Sequence, residues 1–224
     1  DPWNDTIGSN DGTESGTFTR ELVTASDAND QIDALGTAIL EPRLNTQQLN
    51  LFGEGEYSST PDSASLDVTT TATWELWGNF YQSGTAIESL IAKFGLTTGR
   101  SYAIYQSNGA DGILKLHTTS GGSSSTNRTD DITVPDRVSH ILFTYESGVG
   151  IFGYVDGQLV SLTSTGTLPA SIYVGTDSFN VGSWDNGASG FCSRKIGSTK
   201  IYNVALTADE VLTNYNTQKS LYGL

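Results

Sequence analysis

Cleaving a bond with an acid and a nucleophile needs two carboxylates about 5–5.5 Å apart on one face. This chain offers few such pairs. Glu75 stands alone in the aromatic run 72–77, ATWELW. Glu54 and Glu56 are two apart, but they lie in the glycine-rich turn FGEGEY. No serine–histidine–aspartate order and no metal-protease helix motif is present. The only histidines, His117 and His140, each sit in a strand-like run and read as surface or packing residues. Cys192 is the single cysteine, so no disulfide forms within the chain and no zinc site is built on it; it reads as a small buried apolar residue. A different chemistry is suggested by Trp184-Asp185-Asn186 at a strand end, with Asp177 on the turn before that strand. An indole can stack on a sugar face while Asp and Asn accept hydroxyl protons beside it. These four are the candidate ligand-binding residues. A tryptophan at a strand end also serves as a plug for a sandwich.

The elements that must position them are strands. Residues 140–163, HILFTYESGVGIFGYVDGQLVSLT, read as a three-stranded meander: 141–145, 150–155 and 158–163. Asp156-Gly157 between the last two suits a two-residue type I′ turn, whose central residues both need positive φ. A meander this apolar requires a second sheet against it. The run 69–81 is the strongest single strand, β-branched and aromatic throughout, with Trp74, Leu76 and Gly78 alternating with Glu75, Trp77 and Asn79. Trp74 and Trp77 therefore cannot enter the same core. Further strands are expected at 17–23, 35–40, 47–52, 57–59, 89–96, 100–107, 112–118, 132–134, 171–174, 179–184 and 191–202. The serine-rich 120–126 is expected as a loop, as is SDANDQID (26–33), which lacks the spacing of an EF-hand. One helix is expected, where Thr207 and Glu210 form a capping box and Val211, Leu212 and Tyr215 share one side.

Composition narrows the function classes. Lys+Arg 11 against Asp+Glu 25 gives a net charge of −14, which argues against nucleic acid and anionic membranes as partners. No stretch approaches the roughly 20 apolar residues of a membrane span. With no Met and no visible signal peptide, the chain reads as a processed product or part of a longer protein. All-β sandwiches of this length are routinely single domains, so residues 1–224 are expected to form one.

Four segments in order carry a family resemblance. LNLFGEGEYSSTPDSASLD (49–67) with ATWELW, SLIAKFG (89–95), the meander with its YVDG turn, and KIGSTKIYNVALTADEVLTNY (195–215) resemble the laminin G-like, concanavalin A-like jelly rolls. DTIGSNDGT (5–13) also resembles the first turn of such domains. The resemblance spans about 48–215 and leaves 14–47 as an added strand or arm region. It implies an all-β fold, two antiparallel sheets stacked as a jelly-roll sandwich with a short C-terminal helix. The fold hosts lectins, adhesins, glycosidases and virion proteins, so it does not name the function. Hydrolases on it present Glu-x-Asp-x-Glu or Glu-x-Asp-x-x-Glu along one strand, and neither occurs here. The expectation is therefore a non-enzymatic, glycan-directed binding or adhesion module on a cell, matrix or virion surface. The alternative is a virion or surface-layer structural protein that uses its jelly roll for protein contacts or self-assembly, and a glycoside hydrolase comes third. The family also implies a calcium ion at the sandwich edge. Ile196-Gly197 stands where relatives carry Ile-Asp, which leaves Asp177 and Asp185 at the rim as the calcium candidates.

Overall fold

A computed structural model describes residues 13–15, 19–21, 48–50, 55–81, 86–95, 99–109, 112–123 and 127–224. In chain order its strands are β1 (Thr13–Ser15), β2 (Thr19–Glu21), β3 (Gln48–Asn50), β4 (Tyr57–Thr60), β5 (Thr71–Asn79), β6 (Glu88–Lys93), β7 (Arg100–Gln106) and β8 (Ile113–Gly122). There follow β9 (Asn127–Thr133), β10 (Val138–Glu146), β11 (Gly150–Val155), β12 (Gln158–Val160), β13 (Thr163–Gly166), β14 (Phe179–Val181), β15 (Lys195–Tyr202) and the helix α1 (Ala208–Gln218). They form two antiparallel sheets. Among the described residues one has eight strands in the order β1-β4-β14-β6-β7-β8-β9-β13, the other seven in the order β12-β11-β10-β5-β15-β3-β2. The all-β jelly-roll expectation holds.

The period-2 alternation decides what each sheet buries. On β5, Ala72, Trp74 and Leu76 point into the space between the sheets; on β10, Ile141, Phe143 and Tyr145 do the same. Trp74 meets Tyr102 of the opposite sheet at 5.4 Å between ring centres. The tyrosine hydroxyls that reach this dry layer find carbonyls, Tyr102 on Leu66 at 3.0 Å and Tyr145 on Pro169 at 2.7 Å. A buried hydroxyl without such a partner would cost about 1–3 kcal/mol.

The other face of β5 and β10 is also buried, because α1 and the turn after it lie on it. Trp77 stacks on Tyr222 (4.3 Å, 3°) and Tyr215 (5.8 Å, 6°), while Val211 packs with Leu142 and Tyr154. Thr207 and Glu210 make the expected capping box. Of the three expected apolar helix residues, Leu212 stays 37 % exposed. Gly197 has a packing reason: a Cβ there would stand 2.8 Å from the Tyr222 ring, and the adjacent Ser198 N–H donates to the Tyr222 hydroxyl at 2.9 Å. An aspartate in its place would displace that ring.

The Asp156-Gly157 turn has both φ values positive, 51° and 76°. Several expectations change. The third meander strand breaks after Val160: β12 stays in the seven-stranded sheet and β13 crosses to pair with β9 in the eight-stranded one. Residues 171–174 form no ladder, since Ile172 and Tyr173 spend their N–H groups on Thr69 and Thr119 carbonyls. The last strand begins at Lys195 because the residues before it are engaged elsewhere, Cys192 N–H on the Gly182 carbonyl and Ser193 and Arg194 on Glu88. Of the expected loop 120–126, residues 120–122 belong to β8 and 124–126 lie outside the described residues, as do 26–33 and 35–40.

Candidate functional site

The outer face of the eight-stranded sheet carries the polar residues left over once the core positions are assigned. Registers place them in rows. One row runs Asn180, Ala92, Ala103, His117, Thr129, Thr165 across β14, β6, β7, β8, β9 and β13. The next runs Ser89, Tyr105, Lys115, Asp131, Thr163. Lys115 and Asp131 form an ion pair, both largely buried. Asp131 Oδ1 is also buried and has no hydrogen-bond partner. The His117 ring meets Phe94 edge-on at 4.8 Å and lies 6.3 Å from Tyr105. Burial and the Asp131 charge hold the Tyr105 hydroxyl above its usual range, against the opposing pull of Arg100. It therefore stays a neutral donor and acceptor. Arg100 places its guanidinium 5.2 Å from the centre of the Phe94 ring.

A loop folds back onto this face after β14. Gly182 N–H still bonds the Leu90 carbonyl at 2.9 Å, but Asp185 N–H reaches the Phe94 carbonyl at 2.8 Å and the Gly190 carbonyl returns to Ser89 N–H at 2.9 Å. The reversal needs three successive left-handed residues, Asp185, Asn186 and Gly187, with φ of 53°, 54° and 84°. Asp, Asn and Gly are the types that adopt this region at little cost. The loop seats Trp184 over Ala92 and Ala103, stacked on Phe94 (5.5 Å, 19°) and tilted against Tyr105 (5.3 Å).

The four sequence-derived candidates are brought together here. Asn186 donates to Asp177 Oδ1 at 2.7 Å and accepts from Ser178 N–H at 2.9 Å. Asp185 is next to it at the loop apex. Trp184 is 8 % exposed, so its ring face is spent on Phe94 and little of it is open to a ligand. Asp177 Oδ2 is buried without a partner, against Gly99. The calcium expectation rests on Asp177 and Asp185. Calcium takes six to eight oxygens, and among the described residues no three His, Cys, Asp or Glu side chains converge.

Sequence reasoning missed Tyr105, Lys115 and Asp131, and read His117 only as a surface or packing residue. The signal was present: Lys115 and His117 alternate with core residues Leu114 and Leu116, and Asp131 precedes core residue Ile132. What was missing was the register of three successive strands, β7, β8 and β9.

Glu75 is sealed rather than poised. It is 0 % exposed. Its Oε1 accepts from Lys200 at 3.1 Å and Gln218 at 3.0 Å, and its Oε2 from Tyr202 at 2.8 Å and Asn214 at 2.9 Å. His140 Nε2 stands 3.4 Å from Oε1. Burial alone would raise this carboxyl, but His140, Lys200 and Tyr202 outweigh it and bring the pKa down to about 2. Two of these donors come from α1, so Glu75 ties the helix to the sheet. Glu54 lies outside the described residues and Glu56 is buried. Cys192 is fully buried, and burial pushes its thiol up to about 12.

A family model described as the concanavalin A-like lectin/glucanases superfamily, laminin G type, matches residues 52–212. No curated protein sequence matches the chain. Among solved structures, the binding domain of botulinum neurotoxin serotype G superposes with a TM-score of 0.64 at 10 % identity, covering 96 % of this chain and 48 % of that one. A structure of botulinum neurotoxin type C, which depends on interaction with two ganglioside molecules to enter cells, gives 0.56 at 10 % identity, covering 92 % and 46 %. The binding domain of botulinum neurotoxin DC in complex with rat synaptotagmin II gives 0.56 at 9 % identity, again covering 92 % and 46 %. The chain thus spans just under half the length of these structures. At such identities the likeness is one of fold.

Proposed function

Since the chain belongs to the concanavalin A-like lectin/glucanase superfamily, we propose that it is a non-enzymatic binding module directed at carbohydrate. The supporting observation is the face built by Tyr105, Lys115, His117 and Asp131, flanked by the Trp184–Asn186 loop and Asp177. Carboxylate, ammonium and hydroxyl groups beside aromatic rings are the set that a polyhydroxylated ligand can satisfy. The described carboxylate best placed for acid–base work by sequence, Glu75, has both oxygens occupied beneath α1. That two structural neighbours are described with gangliosides and with a protein receptor supports glycan or protein partners generally. We place the module on a cell, matrix or virion surface; no described helix is long and apolar enough to cross a membrane.

The test is a glycan array probed with purified protein, with and without calcium. Dose-dependent binding that is lost in Tyr105→Ala and weakened in Asp177→Ala supports the reading. Binding by no glycan rejects it.

A second reading, protein contacts within a larger assembly, is favoured by Phe152 and Leu159, which are 42 % and 60 % exposed at the β11–β12 edge of the seven-stranded sheet. Sedimentation of the wild type and Leu159→Glu separates the two readings. Self-association abolished by the substitution, with no glycan bound, favours the assembly.

A further inference from the structure

We propose that the outer face of the eight-stranded sheet selects neutral, hydroxyl-rich glycans and excludes those bearing carboxylate or sulfate groups. This rests on the carbohydrate reading above and specifies its ligand class. Holding an anionic sugar takes an arginine or lysine whose charge is not already engaged, since charge-assisted bonds carry such recognition. The chain has 11 Lys and Arg, and all but Arg20 and Arg43 have described side chains. On this face the described cations are Lys115, ion-paired with Asp131, and Arg100, lying over Phe94. Arg128 on the neighbouring strand is turned to Asp130 through two bonds of 2.8 and 2.7 Å.

The oxygens left over are negative. Asp131 Oδ1 and Asp177 Oδ2 are buried carboxylate oxygens at the site that have no hydrogen-bond partner. An incoming carboxylate or sulfate that recruits Lys115 strips it from Asp131 and leaves two like charges side by side. A sugar hydroxyl instead donates to Asp131 Oδ2, Oδ1 being buried, and accepts a bond from the Lys115 ammonium, keeping the pair together. The net charge of −14 acts in the same direction, but with a Debye length of about 8 Å at physiological salt the distant charges are screened. The local balance therefore sets the preference, and it should persist when salt is raised.

The test uses the full chain on an array of neutral oligosaccharides and their sialylated, uronic-acid and sulfated counterparts, in EDTA, at low and physiological salt. Neutral members should bind at least about tenfold more tightly than anionic counterparts of the same backbone, a difference near 1.4 kcal/mol. Asp131→Asn, which releases Lys115, should narrow that ratio by strengthening anionic binding; if that variant fails to fold, Asp177→Asn, which removes the other carboxylate charge at the site, should also narrow it. Anionic glycans binding as tightly as neutral ones, or doing so once calcium is added as a bridge, overturns the inference while leaving the carbohydrate reading intact. Silence across the whole array overturns both.

Discussion

The Glu75 cluster makes a quantitative prediction about acid stability. The carboxyl falls from an ordinary 4.5 to about 2 in the folded chain. A depressed folded pKa stabilises the protein above the unfolded value, and that stability is lost as pH falls through the folded one. The window is therefore pH 4.5 down to 2. A shift of this size corresponds to about 3 kcal/mol, at 1.36 kcal/mol per unit. Because Glu75 is fully buried, solvent screening does not erode that figure as it does for surface pairs. Glu75→Gln keeps the shape but removes the charge facing Lys200 and turns an amide N–H₂ toward the Tyr202 or Gln218 donors. Breaking one member of a buried charged network costs about 3–5 kcal/mol. The assay is urea unfolding at pH 7, 4 and 2.5 for wild type and variant, with amide exchange on α1. Wild type should lose most of its extra stability across the window. The variant should start lower, show a flatter acid slope, and exchange α1 amides faster, since Asn214 and Gln218 hold the helix through Glu75. A variant within about 0.5 kcal/mol of wild type at pH 7, with an unchanged acid slope, would refute the latch, that margin being the ordinary range of surface substitutions.

Three further outcomes are expected. Lys93 is fully buried, with its ammonium 2.9 Å from Asp62, 2.8 Å from Asp67 and also on the Gly175 carbonyl. Lys93→Met should therefore cost about 2–4 kcal/mol in thermal or urea unfolding, because the Asp67 carboxylate and the carbonyl lose their donor. Thr207→Ala should cost about 1 kcal/mol by removing the capping box, read as a lower unfolding midpoint with unchanged slope. Gly157→Ala should cost about 1–2 kcal/mol, since φ is +76° and a Cβ there lies 3.0 Å from Tyr215; a neutral or stabilising result would contradict the turn geometry.

Local chemistry along the chain was sufficient for the elements. Alternation on 69–81 separates Trp74 from Trp77, Asp156-Gly157 can turn in few ways, and Thr207 with Glu210 starts a helix by itself. These features depend on residues a few positions apart, so they can be read without a fold. The break after Val160 could not be read this way, because it depends on β13 finding β9 more than 30 residues back. Nor could the fate of Trp184, whose ring is buried by Phe94 and Tyr105 from two other strands. Glu75 looked isolated in sequence, yet its partners arrive from residues 140, 200, 202, 214 and 218. The polar face was half legible: alternation marks Lys115, His117 and Asp131 as outward positions, but only cross-strand pairing sets Tyr105, Lys115 and Asp131 side by side. Backbone preference and side-chain period are encoded within a strand, whereas which strands become neighbours is decided by burying both sheets at once.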